Sequence, residues 1–169
     1  MRALIVGAGA RGLVLAEHMR ARGDAARIVT RRPERRAEIE AVGGEYLEGD
    51  PDRIGTLRYA CENVTILVWA LGTAWSDDPA DDERIADLHG SRLQMMLERT
   101  IDTTVRGVLY ENAGSLPDGH FASGREVMER MCRKNEIPFA FLDADPTDHE
   151  AWASAADEAV AGLLAQDRG

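Results

Sequence analysis

The chain is almost without lysine: of its 20 basic residues 19 are arginine, and Lys134 is the single lysine. Any chemistry that needs a lysine amine therefore has one candidate. Cysteine is as scarce. Cys61 and Cys132 are too few and too scattered for a disulfide framework or a zinc site. The four histidines, His18, His89, His120 and His149, show no metal-ligand spacing, so no metal is expected. Basic charge is in deficit as well. Thirty acidic residues against 20 basic ones leave a formal charge of −10. That balance argues against a nucleic-acid binder and against an anionic membrane surface as partner. Long apolar runs are missing too. The longest, residues 64–71, falls well short of the roughly 18 residues of a membrane span. Before Gly7 stand only Ala3 to Val6, too few for a signal-peptide core, so a cytoplasmic location is expected.

What remains is a 169-residue chain with 44% apolar residues, enough to bury a core. Strand-like and helix-like segments alternate throughout. Short apolar or β-branched runs at 3–6, 27–30, 45–48, 64–70, 106–110 and 139–142 read as strands. Helical spacing appears at 13–22, 33–42, 54–60, 83–102, 121–135 and 148–164. Pro33 suits a first helical turn, and Thr147-x-x-Glu150 reads as a capping box for the last helix. Six strands alternating with helices predict a doubly wound α/β fold. The expectation is a parallel six-stranded Rossmann sheet of order 3-2-1-4-5-6, one domain over residues 1–169.

Gly7-Ala8-Gly9-Ala10-Arg11-Gly12 matches G-x-G-x-x-G between a predicted strand and a predicted helix. Gly7 permits a tight turn, Gly9 leaves room for a pyrophosphate, and Gly12 lets the helix pack close to the strand. Ala10 and its neighbours then offer helix-start N–H groups to phosphates. The residue after the second strand selects the ligand. An acid there would bind a free ribose, but the chain has Thr30-Arg31-Arg32. Two guanidiniums suit a 2′-phosphate, and Arg11 stands near enough in sequence to join them. NADPH is thus expected over NADH. The competing reading makes Arg31 and Arg32 solvated loop charges, continued by Arg35 and Arg36.

These segments resemble the small, atypical short-chain dehydrogenase/reductase-like NAD(P)H-binding proteins, of the flavin/biliverdin-reductase or NmrA-like type. The resemblance rests on residues 4–12, on Val29-Thr30-Arg31-Arg32-Pro33-Glu34, on Gly49-Asp50-Pro51-Asp52 and on Val68-Trp69-Ala70-Leu71-Gly72-Thr73. It implies that Asp50 lies near the adenine and that Ala70, Leu71 and Gly72 line the pyrophosphate and ribose. The family's usual Tyr-x-x-x-Lys is missing: Asp50, Asn63 and Gly114 stand four residues after the three tyrosines. Carbonyl reduction through that proton relay is therefore not expected. The flavin/biliverdin-reductase type works without the dyad, and its Leu-Gly-Thr is echoed at residues 71–73.

The catalytic candidates are Tyr110, Glu111 and Ser115, after the fifth strand. Tyr110 reads equally as a core aromatic, and Asn112 and Ser115 as turn formers. Trp75 with the acidic run 77–83 is a lid over the cofactor or a solvated loop. Two functions stay open. One is an NADPH-dependent reductase of a flavin, quinone or similar conjugated acceptor. The other is a non-catalytic NAD(P)H-binding sensor or accessory protein. The expected partners are the dinucleotide and a small-molecule acceptor, with a homodimer among the open assemblies.

Overall fold

A computed structural model describes residues 1–167. The strands are β1 (Arg2–Gly7), β2 (Ala25–Thr30), β3 (Glu45–Glu48), β4 (Ile66–Ala70), β5 (Gly107–Glu111) and β6 (Phe139–Leu142). They form one six-stranded sheet ordered β3-β2-β1-β4-β5-β6, with every pairing parallel. The doubly wound α/β expectation is met. The α-helices are α1 (Gly9–Ala21), α2 (Arg36–Ala41), α3 (Asp82–Asp87), α4 (Ser91–Thr100), α5 (Asp118–Lys134) and α6 (His149–Asp167).

Parallel strands are covered on both faces, so successive residues enter different cores. In β1, Leu4 and Val6 face one way with Trp69 and Tyr110. That core is filled by Leu93 and Leu97 of α4 and by Val127 and Met131 of α5. Ala3 and Ile5 face the other way, with Leu15 and Met19 of α1 and Trp152 and Ala156 of α6. Residues 3–6 are all 0% exposed, which is why so short a run is legible as the central strand.

Four local expectations are corrected. The first helix begins at Gly9, not at 13, because the second glycine already has its place in the helix. Residues 54–60 hold only a 3₁₀ turn, Ile54–Leu57. The predicted helix 83–102 is two helices, interrupted at Leu88-His89-Gly90. Outside donors take the carbonyls there: the Trp69 indole N–H donates to Leu88 O at 2.9 Å and Ser123 Oγ to His89 O at 3.0 Å. Finally, Asp148 rather than Thr147 caps α6, accepting from the Ala151 N–H, while Thr147 bonds to Asp145. Among the described residues, no helix is long and apolar enough to cross a membrane.

Candidate functional site

The glycine loop joins β1 to α1 by three residues of positive φ: Gly7 at 87°, Ala8 at 71° and Gly9 at 51°. A Cβ on Gly7 would stand 2.3 Å from Ala70 O, so no side chain fits there. The next N–H, of Ala8, donates to that same carbonyl at 2.8 Å. A Cβ on Gly12 would lie 3.0 Å from Ala8 Cβ and 3.7 Å from Ile5 Cγ2, which explains the close helix–strand contact. Gly9 differs. Its Cβ would meet nothing nearer than the Arg11 guanidinium at 4.0 Å, so its face is open. The three glycines thus divide into turn, open approach and packing, the division a dinucleotide loop needs.

Gly9 opens onto a cleft of about 420 Å³ beside the C-terminal ends of β1, β2 and β3. This is the position where open α/β sheets take ligands. Gly7, Gly9 and Ala10 form its floor, and Thr30, Arg31 and Arg32 enter from β2. Thr30 is buried; its Oγ1 accepts the Arg32 N–H at 3.1 Å and fixes the turn after the strand. Arg31 and Arg32 are exposed, and among the described residues neither guanidinium makes a hydrogen bond or a close ion pair, although Arg31 lies near enough to Asp81 to help hold its pKa down. Arg35 pairs with Glu38 and reaches Gly9 O at 3.3 Å. From β3, Gly49 donates to Thr30 O at 3.0 Å. Asp50 lies on the cleft, its carboxylate accepting the Asp52 N–H at 2.9 Å. The far wall is apolar: Leu71, Ala74, Trp75, Ile85 and Leu88. Trp75 stands 76% exposed at its rim. Arg84 of α3 pairs with Asp52 and Asp81 there. Hydrogen bonds and Arg84 hold Asp81 below the usual carboxylate range. Four arginines therefore face three carboxylates in the cleft of an acidic protein.

The remaining candidates lie outside the cleft. Arg11 does not line the cleft. Its guanidinium is buried and pairs with Glu111 through Nε at 3.0 Å and Nη2 at 2.7 Å. It also donates to Ala8 O and Thr73 Oγ1 and lies over the Trp152 ring. Glu111 accepts two further bonds, from Gly72 N–H at 2.7 Å and Trp152 Nε1 at 2.8 Å. Every orbital a nicotinamide or substrate would use on this carboxylate is taken. Gly12, Ala70 and Gly72 support the loop from behind without lining the cleft. Ser115 is exposed, and its N–H donates to Gly72 O at 3.1 Å.

Tyr110 is 0% exposed, with its hydroxyl 2.6 Å from His89 Nδ1. His89 Nε2 lies 3.0 Å from Leu71 O, an acceptor only, so Nε2 carries the proton. Nδ1 then accepts from the tyrosine. Burial holds the His89 pKa down at about 4 and pushes that of Tyr110 above its ordinary value. A proton held this way is not offered to the cleft. Burial also pushes the Cys61 and Cys132 thiols up, to about 11 and about 12. Among the described residues, no group of three or more His, Cys, Asp or Glu could hold a metal ion. The sequence reading did not find Arg84 or Glu38. Arg84 meets Asp52 across 32 residues, and nothing local marks that pair.

No family model matches this chain, and no curated protein matches it. Solved structures do. A short-chain dehydrogenase/reductase superfamily protein from Agrobacterium tumefaciens, with bound NAD, is 20% identical at a TM-score of 0.68. The match covers 83% of this chain and 48% of that one. Triphenylmethane reductase from Citrobacter sp., complexed with NADP(H), is 20% identical at 0.61, covering 84% of this chain and 48% of that one. UDP-glucuronic acid 4-epimerase from Bacillus cereus, with NAD, is 13% identical at 0.67, covering 86% and 56%. The chain spans about half the length of the solved structures it matches. At these identities the likeness is one of fold: the doubly wound, parallel α/β sheet described above.

Proposed function

We propose that residues 1–169 form a dinucleotide-binding domain that takes NADP(H) in preference to NAD(H). The observation that carries this reading is the pair Arg31 and Arg32. They are exposed on the cleft with no close ion pair among the described residues, after a strand that ends in Thr30 rather than an acid. A ribose 2′-phosphate would supply the missing charge. The residues present fit such a ligand. Gly9 leaves an open approach, Ala10 and the start of α1 offer N–H groups, and Asp50 and Trp75 border the space beside the arginines. NADP(H)-bound triphenylmethane reductase, which shares the fold, is consistent with this.

The reaction we propose is reduction of a flavin, quinone or similar conjugated acceptor. Bound NADPH supplies a hydride, and such an acceptor takes its proton from water. The chain's own part is to bind and orient, because Tyr110 and Glu111 have their hydrogen-bonding groups committed elsewhere. That same burial favours a second reading, a non-catalytic NADP(H)-binding protein. NADPH oxidation followed at 340 nm against flavins and quinones separates them. Turnover above the uncatalysed rate supports the reductase. Tight binding without turnover supports the sensor.

A further inference from the structure

The cleft is one-sided. All of its lining residues fall within residues 7–88, and none belongs to β5, α5, β6 or α6. A doubly wound sheet consists of two mononucleotide-binding halves, and a dinucleotide spans both. In this chain the cleft spans the ends of β1–β3 and the segment after β4, and it stops short of β5 and β6.

Three observations show what closes it there. Glu111, at the end of β5, is 0% exposed and saturated by Arg11, Gly72 and Trp152. The loop after β5 lies directly on the loop after β4: a Cβ on Gly114 would stand 2.0 Å from Gly72 O. The Ser115 N–H then donates to that carbonyl at 3.1 Å. Backbone meets backbone here, so no aromatic ring fits between the two loops. Tyr110 and Glu111 offer nothing to a carboxamide, since the tyrosine donates to His89 and the carboxylate is saturated.

We infer that the cleft recognises the 2′-phospho-ADP portion of its ligand alone. The nicotinamide ring stays outside the fold, and its redox state is not read. The ligand class is that of 2′-phosphoadenosine 5′-diphosphates, with Arg31 and Arg32 on the 2′-phosphate and the glycine loop on the diphosphate. This rests on the NADP(H) reading above. It adds that affinity is independent of the nicotinamide. The exposed ring would then be open to an acceptor held by another protein or arriving from solution.

Calorimetric titration of the full chain with NADPH, NADP⁺ and 2′-phospho-ADP-ribose tests the inference, with reduced nicotinamide mononucleotide as a fourth probe. The three adenosine ligands should agree within about tenfold in Kd, the equivalent of about 1.4 kcal/mol. The mononucleotide should not bind. NADPH binding more than about tenfold tighter than 2′-phospho-ADP-ribose or NADP⁺ would overturn the inference while leaving the NADP(H) reading standing. So would binding of the mononucleotide. Failure of all the adenosine ligands to bind would overturn both.

Discussion

Replacing Glu111 by Ala should destabilise the protein severely, although the residue lies outside the cleft. Its side chain is 0% exposed and that of its partner Arg11 only 7%. The substitution strands a buried guanidinium and leaves the Gly72 N–H and the Trp152 indole N–H without an acceptor. Removing one partner of a buried ion pair costs about 3–5 kcal/mol. In a domain of this size each kcal/mol lowers Tm by roughly 2–4 °C, so a fall of about 6–20 °C is expected. Urea denaturation followed by circular dichroism gives the free energy directly. The double replacement Arg11→Met with Glu111→Leu removes both charges and keeps the volume. It still leaves the two N–H groups unpaired, at about 1–3 kcal/mol each. The double variant should nonetheless lose about 2 kcal/mol less than the sum of the single variants. A cost below about 1 kcal/mol for Glu111→Ala, typical of an exposed pair, would refute the reasoning. Strict additivity would refute it too.

Three other outcomes are expected. Gly9→Val places a branched side chain at φ 51° and into open space; it should cost about 1–2 kcal/mol of stability yet abolish NADPH binding in calorimetry. Tyr110→Phe strands His89 Nδ1 and should cost about 1–3 kcal/mol, but any NADPH turnover should change less than about twofold. His89 makes stability acid-sensitive: between pH 6.5 and about 4 the unfolded chain binds a proton that the native imidazole refuses. Tm should therefore fall as pH drops through that window, by the equivalent of up to about 3 kcal/mol, and His89→Gln should flatten the profile.

The sheet was legible because parallel strands buried on both faces are written as short apolar runs, and β4 and β5 are buried along their whole length. The glycine loop was legible because its demands are local: close contacts at Gly7 and Gly12 and a positive φ at Gly9. Contacts between distant residues were not. The break between α3 and α4 depends on donors from Trp69 and Ser123, which no local pattern near residue 89 announces. Arg11 sits in the glycine loop and reads as a phosphate ligand, yet it meets Glu111 100 residues later. Tyr110 lies near the end of a strand beside the expected cleft, but its hydroxyl donates to His89. Arg31 and Arg32 line the cleft, and that position follows from the strand end alone.

Paired titrations of NADPH and NADH test the central claim most directly, in the wild type and in the Arg31→Ala, Arg32→Ala double variant. Wild-type protein should bind NADPH at least about tenfold more tightly, the lower end for one charge-assisted hydrogen bond, because both arginines are exposed and screened. The preference should shrink as salt rises. The double variant should lose it through weaker NADPH binding while NADH affinity stays within about twofold. Equal affinities for the two nucleotides in the wild type would contradict the account and return both arginines to the solvated surface.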